Sequence, residues 1–101
     1  MGDLEICKRI AEIEGVQHQV EMEDTPNCYI YSEELNKEFN PLTDKALCFD
    51  LMVKHDVRVE PSDCNAWIDN EDCHPEHIVI HHDGTLQEAI CLVIIESHKN
   101  E

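Results

Sequence analysis

The densest group of potential metal ligands lies in residues 64–82, which read CNAWIDNEDCHPEHIVIHH and contain two cysteines, four histidines and four acidic residues. Thiolates and imidazoles are the side chains that bind zinc most often, usually four of them in a tetrahedron. Structural zinc sites take cysteines in close pairs, about two to four residues apart, and the sequence has no such pair. The segment therefore has the residue types of a zinc site without its usual spacing.

Strand geometry separates the histidines at the end of this segment. Residues 77–82, HIVIHH, have the composition of a β-strand. His77 and His81 would share a face of that strand but lie about 13 Å apart, because each residue adds about 3.3 Å. His81 and His82 would point to opposite faces, since side chains alternate along a strand. We therefore do not expect these three histidines to bind one metal ion.

The compact part of the segment is DCHPEH, where a turn at the proline would bring Cys73, His74 and His77 together. Cys64 or Asp72 would supply the fourth ligand. The candidate metal ligands are thus Cys64, Cys73, His74 and His77. The alternative is a polar loop with exposed histidines and one or two packed cysteines. The irregular spacing favours the loop, and zinc binding is the second interpretation.

Catalytic motifs that can be recognised by their spacing are absent from the sequence. It contains no nucleophilic-serine elbow, phosphate-binding loop, glycine-rich dinucleotide turn or HExxH helix, and only three glycines in all. The acids between residues 60 and 72 could bind Mg²⁺, but an acidic loop is commonly just solvated. We therefore predict that the protein is not an enzyme and has no cofactor.

The charge balance indicates the kind of partner. The chain has 23 acidic and 7 basic residues, a formal net charge of −16. Such a surface repels nucleic acid and anionic membranes and attracts basic partners or cations. The acids are spread along the chain rather than grouped in one block. Two interpretations stay open: a solvated shell around a folded core, and a surface that mimics the phosphates of DNA.

The first half of the chain is predicted to form a helix followed by a β-hairpin. Residues 3–14 carry apolar side chains at spacings of three and four, and Gly15 suits the left-handed residue that ends a helix. Residues 16–22 alternate apolar and polar side chains, as a half-buried strand does. Residues 28–32 form the second strand after the turn EDTPN, and 33–40 are interpreted as a polar connection.

The second helix is predicted to begin within NPLTD, with Thr43 as the N-cap and Asp44 complementing the helix dipole. Its inner face would consist of Leu47, Cys48, Leu51 and Met52, broadened by Phe49 and Val53. A face of that width is suited to packing against a sheet.

Three strands and a last helix are predicted for the rest of the chain. The strands are VRVEP (57–61), NAWID (65–69) and HIVIHH (77–82). TLQE (85–88) has the pattern of a capping box, in which the threonine caps the helix. AICLVIIESHK (89–99) is predicted to be a largely buried helix, and the tryptophan within NAWID is expected to pack in or beside the core.

The element order is therefore α-β-β-α-β-β-β-α, which predicts an α+β fold. We expect an antiparallel or mixed β-sheet packed by about three helices, similar to an α-β-α sandwich. A chain of 101 residues has no room for a second core, so residues 1–101 are expected to form one domain.

Several segments resemble small uncharacterised phage and prophage proteins. The run NPLTDKALCFDLMVKH (40–55), NAW (65–67) and the final AICLVIIESH (89–98) resemble proteins of the phage ABA-sandwich domain type. That resemblance implies a sheet between helices and a role inside a bacterial host cell. It implies no activity and no catalytic residues.

The cysteines and the N-terminal residues indicate a cytoplasmic protein. MGDLEICKRIAEIEG has acids and a helical pattern in place of the apolar stretch of a secretory signal. Reduced thiols are expected in that compartment. Cys7, Cys48 and Cys91 each lie within an apolar helical pattern, so we predict that they pack in the core as small apolar residues.

Three functions remain from these observations. The first is an acidic accessory protein that works by binding another protein, and that could also form a homo-oligomer. The second is a DNA mimic that inhibits a nucleic-acid-binding enzyme. The third is a small zinc-binding module that uses the 64–77 segment. Direct binding of nucleic acid is not expected, because the seven basic residues form no patch in the sequence.

Overall fold

The computed structural model describes residues 2–23, 25–26, 28–68, 78–81 and 84–98, with only the backbone described for 78–81. This part of the chain contains three α-helices, α1 (Asp3–Glu14), α2 (Lys45–Lys54) and α3 (Leu86–His98), and a short 3-10 helix (Pro61–Asp63). One antiparallel sheet consists of β1 (Gln19–Glu21), β2 (Tyr29–Ser32) and β3 (Lys37–Glu38). The other consists of β4 (Val57–Glu60), β5 (Asn65–Ile68) and β6 (Ile78–His81). The predicted α+β class is confirmed, the predicted elements occur in the predicted order with one additional strand, β3, and the strands are divided between two sheets.

Helix α1 begins and ends where the sequence pattern predicts. Gly15 has a φ of 68°, a left-handed conformation in which a glycine has no Cβ to clash. The N–H of Val16 donates to the carbonyl of Ala11 at 2.9 Å, which satisfies one of the free carbonyls at the helix end. The residues of α1 that are buried in the core are Ile6, Cys7, Ile10 and Ala11.

The predicted hairpin is present as β1 and β2, with Val20 opposite Ile30. The structure adds a third strand, β3, within the segment 33–40 that was interpreted as a polar connection. Asn36 adopts a left-handed φ of 56° and reverses the chain. The N–H of Phe39 then donates to the carbonyl of Ile30 at 2.8 Å, and the Phe39 side chain is buried. The buried Phe39 side chain therefore holds the polar segment 33–40 against the core.

Helix α3 is the centre of the core, as its apolar sequence predicts. It contacts all three strands of the second sheet and also α1 and α2. Its buried residues are Ala89, Ile90, Cys91, Val93, Ile94 and Ile95. The N–H of Glu88 donates to Thr85 Oγ1 at 3.1 Å, which confirms the predicted N-cap. None of the described helices has the length and apolar character needed to cross a membrane.

The N-cap of α2 is one residue later than predicted. Asp44, rather than Thr43, has the extended backbone of a cap, and its carboxylate accepts from the N–H of Leu47 at 3.1 Å. A carboxylate at this position also carries the charge that the positive end of the helix dipole favours. Thr43 belongs to the preceding turn, where its N–H donates to the carbonyl of Asn40 at 3.2 Å.

The outer side of α2 differs from the prediction. Cys48 and Leu51 are buried as expected. Phe49 and Val53, which were predicted to broaden the inner face, are 59% and 63% exposed. Among the described residues α2 packs mainly against α3 and β4, so the core covers a narrower strip of this helix than its apolar residues could fill.

Candidate functional site

The structure describes one of the four predicted zinc ligands. Cys64 is half-buried just before β5, and its thiol donates to the carbonyl of Gly84 at 3.5 Å. Cys73, His74 and His77 lie outside the described residues, and so does Asp72. The zinc set stays a prediction.

Metal-binding groups were also sought elsewhere in the described part of the chain. Within residues 2–23, 25–26, 28–68 and 84–98, no three His, Cys, Asp or Glu side chains are arranged so that they could hold a metal ion.

Cys7, Cys48 and Cys91 are free thiols buried in the core, as predicted. Burial raises the pKa of the Cys7 thiol to about 11, and the thiol donates to Asn40 Oδ1 at 3.3 Å. A thiol that is protonated at neutral pH and enclosed by the core is a poor nucleophile. Cys7 is therefore a packing residue.

Cys48 and Cys91 form a thiol pair between α2 and α3. Hydrogen bonding to Cys48, followed by burial, raises the pKa of Cys91 far above its ordinary value. The hydrogen bond from Cys91 lowers the pKa of Cys48, although burial acts in the opposite direction. Both cysteines are buried where α2 packs against α3, and Cys48 is among the residues that line an apolar groove.

A cluster of charged and aromatic side chains joins the C-terminal ends of the three helices. Glu14 accepts hydrogen bonds from Lys54 Nζ and from His55 Nε2, both at 2.8 Å. The His55 ring meets the His98 ring edge to face, with centroids 5.4 Å apart. His98 Nδ1 donates to the carbonyl of Ile94 at 2.9 Å. We call Glu14, Lys54, His55 and His98 the helix-end cluster.

The hydrogen bonds of the helix-end cluster favour the ionised form of the Glu14 carboxylate in the folded protein. Burial alone would raise the pKa of Glu14, but the hydrogen bonds from Lys54 and His55 outweigh it and hold that pKa below its ordinary value. Each of the four side chains has a partner within the chain, and Lys54 and His98 lie in the last turns of α2 and α3, where a basic side chain complements the negative end of the helix dipole. The pairing of His55 with Glu14 was not predicted from the sequence.

A polar depression lies beside the first hairpin, with a volume of about 440 Å³. His18 and Tyr31 are among its lining residues. His18 Nδ1 lies 2.9 Å from the carbonyl of Val16, and the Tyr31 hydroxyl donates to Asn36 Oδ1 at 2.9 Å. Because these polar groups bond to neighbours along the chain, they do not converge on a ligand.

An apolar groove of about 280 Å³ runs between α2, α3 and β4. Its apolar lining consists of Cys48, Phe49 and Met52 of α2, Val59 of β4, and Leu86 and Ile90 of α3. Lys45 and Gln87 also line it. Phe49 lines the groove. Val53 follows it by four residues and therefore lies about one helical turn further along α2. We call this surface the α2 face, meaning the groove together with exposed Phe49 and Val53.

The α2 face could not be predicted from the sequence pattern, which assigned both exposed residues to the core. The one sequence feature that could have predicted this exposure is the width of the apolar stripe on α2, because it is wider than the strip that one neighbouring helix covers. Exposed apolar side chains that adjoin one another are one feature of interaction surfaces.

Comparison with protein-family models found none that matches the chain. Searches among curated proteins and among solved structures likewise found no similar protein. The class of the protein is therefore defined by its own structure: an α+β protein whose described surface carries an apolar groove along one helix.

Proposed function

We propose that the protein is a non-catalytic accessory protein that works by binding another protein through the α2 face. The observation that carries this proposal is the exposure of Phe49 and Val53, at 59% and 63%, beside an apolar groove. Burying the exposed part of each side chain would contribute about 1–2 kcal/mol, from about 1.5–3 kcal/mol for a whole apolar side chain.

The charge and sequence of the chain support a protein partner. The net charge of −16 disfavours nucleic acid and anionic membranes as binding partners. The absence of catalytic motifs from the sequence disfavours an enzyme. The resemblance of residues 40–55 and 89–98 to phage and prophage proteins agrees with a small accessory role in a bacterial cell.

The volume of the groove supports a side chain rather than a small molecule as its occupant. Pockets for small molecules commonly have about 300–1,000 Å³ and enclose most of the ligand. The groove has about 280 Å³ and is open along α2, so it suits one large apolar side chain from a partner surface.

A photoreactive amino acid at position 49 would test the proposal directly. Benzoylphenylalanine replaces Phe49 in one variant and Leu35 in the matched control, because Leu35 is also an exposed apolar residue, 42% exposed, in the turn between β2 and β3. After irradiation in lysate of the cells that produce the protein, a discrete protein adduct is expected from position 49 and not from position 35. Equal labelling at both positions, or none at position 49, would contradict the proposal.

A further inference from the structure

The thiol pair in the core has the arrangement of an oxidation site. We propose that hydrogen peroxide converts the thiols of Cys48 and Cys91 into one disulfide, which links α2 to α3 and is reversed by a reducing thiol. The proposal does not depend on the proposed function, because it concerns the contact between two helices of this chain and not a partner.

The two thiols are neighbours although they lie far apart in the chain. Both residues are free and buried, on helices that pack against each other, and their side chains share a hydrogen bond. A disulfide forms without movement of the backbone only where two cysteine side chains point toward each other. The hydrogen bond requires that orientation. Cys7, in contrast, donates its thiol to Asn40 Oδ1.

The groove beside α2 gives a small oxidant a route to Cys48. Cys48 is only 2% exposed, but it is among the residues that line the groove of about 280 Å³. A water molecule occupies about 30 Å³ in the liquid, and hydrogen peroxide is larger by a single oxygen atom. Cys91 is 0% exposed and is not among the residues that line the groove. Oxidation should therefore begin at Cys48.

The hydrogen bond also makes Cys48 the better nucleophile of the two. The hydrogen bond from Cys91 lowers the pKa of Cys48, whereas the hydrogen bond to Cys48 and burial raise the pKa of Cys91. The thiolate is the form of cysteine that attacks an oxidant. Access and ionisation thus assign the first attack to the same residue.

The first step oxidises Cys48. Its sulfur attacks one oxygen of hydrogen peroxide and the O–O bond breaks, which leaves a sulfenic acid on Cys48. The other oxygen takes the proton of the Cys48 thiol and leaves as water. The sulfenic acid is neutral, so the negative charge that helps to hold the proton on Cys91 is removed.

The second step forms the disulfide. The Cys91 sulfur attacks the Cys48 sulfur, the S–O bond breaks, and the hydroxyl group leaves as water with the proton of Cys91. The two sulfurs together lose two electrons, which the peroxide has accepted. The products are one disulfide and two water molecules.

Peptide mapping of the oxidised protein would test the proposal. The reduced protein is treated with hydrogen peroxide at neutral pH, and the remaining thiols are blocked with N-ethylmaleimide in denaturant before digestion. We expect one linked pair of peptides, joined between Cys48 and Cys91, with a mass about 2 Da below the sum of the two and lost after dithiothreitol. Cys28→Ala is the matched control and should form the same link, because Cys28 is a free, half-buried thiol outside the pair.

Two variants test the order of attack. In Cys91→Ala the sulfenic acid on Cys48 has no partner thiol, so dimedone, which reacts with sulfenic acids, should label Cys48. In Cys48→Ala, Cys91 should stay unlabelled, because it does not line the groove. Equal labelling of Cys48 and Cys91 in these variants would contradict the assignment. Mapping of the wild-type protein provides a test even if a variant does not fold.

The urea dependence distinguishes oxidation of the folded protein from oxidation of the unfolded chain. The rate of disulfide formation should not change at urea concentrations below the unfolding transition. The oxidised protein should melt at a higher temperature, because the link between residues 48 and 91 restricts the unfolded chain. The proposal is overturned if the rate rises with urea, if the oxidised protein melts at a lower temperature, or if Cys91 joins Cys7 or another cysteine. It is also overturned if no link between Cys48 and Cys91 forms.

Discussion

Replacing Glu14 with glutamine would test how strongly the helix-end cluster fastens α1 to α2. The Glu14 side chain is 11% exposed and accepts from Lys54 and His55, whose side chains are 61% and 13% exposed. A glutamine of the same shape has only one acceptor oxygen and no charge, so one of the two hydrogen bonds is lost and the other is weakened. The polar group that loses its hydrogen bond lies where water has little access and cannot replace the lost partner.

The magnitude follows from the exposure of the two partners. A hydrogen bond to a charged group contributes about 1.5–3 kcal/mol, and the bond with half-buried His55 belongs to this class. The exposed Lys54 contributes about 0–1 kcal/mol, because water screens it. We therefore expect Glu14→Gln to lower the free energy of unfolding by about 2 kcal/mol at pH 7. The loss should depend more on His55 than on Lys54.

The lowered pKa of Glu14 predicts how the stability difference between wild type and Glu14→Gln changes with pH. The pKa of Glu14 in the folded protein lies below its ordinary value of 4.5, so the unfolded state takes up its proton first as the pH falls. The stability that Glu14 contributes is fully present above the unfolded pKa and is lost as the pH falls through the folded pKa. The difference between wild type and Glu14→Gln should therefore be largest at neutral pH and shrink in acid.

Urea unfolding at neutral pH and at several acidic values would measure the difference. Glu12→Gln is the matched control on the same helix, since Glu12 is 45% exposed and lies 3.9 Å from Arg9, and it should cost less than about 0.5 kcal/mol. A Glu14→Gln cost that is equal at neutral and acidic pH, or no larger than that of Glu12→Gln, would refute the electrostatic account. So would a larger cost for Lys54→Met than for His55→Gln.

Three further predictions concern the α2 face, the thiols and zinc. Leu51→Ala should lower the free energy of unfolding by about 2–5 kcal/mol, because Leu51 is buried, whereas Phe49→Gln and Val53→Thr should each change it by less than about 0.5 kcal/mol in urea titrations. N-ethylmaleimide, followed by mass spectrometry of peptides, should label half-buried Cys28 and Cys64 well before Cys7, Cys48 and Cys91; rapid labelling of Cys7 in the folded protein would contradict its burial and its pKa of about 11. Protein purified without a metal-affinity step should contain much less than one zinc per chain and keep its melting temperature in chelator; one zinc per chain that Cys73→Ser removes would establish the predicted zinc set.

The features that could be predicted from the sequence depend on local interactions. The end of α1 at Gly15 could be predicted because the hydrogen bonds there go to carbonyls of the preceding turn. The cap of α3 could be predicted because Thr85 accepts from the N–H of Glu88, only three residues away. The hairpin of β1 and β2 follows from alternation on either side of one turn. In each case the interacting groups are close in the chain, so a short window of sequence contains the whole cause.

The features that could not be predicted depend on distant parts of the chain. The hydrogen bond between His55 and Glu14 joins residues 41 positions apart, and no spacing pattern marks it. The polar segment that contains β3 is held by Phe39, whose burial depends on the core it meets. The exposure of Phe49 and Val53 depends on how much of α2 its neighbours cover, which is a property of packing and not of the helix alone.

The way α2 is held explains why two of its apolar residues, Phe49 and Val53, stay exposed. At its N-terminal end Asp44 caps the helix and also pairs with Lys37. At its C-terminal end the helix-end cluster joins it to α1 and α3, and between the two ends Leu51 is buried in the core. A helix fixed at both ends cannot easily rotate to bury Phe49 and Val53. Their surface therefore stays in contact with water, and under the proposed function the binding site would be in place before a partner arrives.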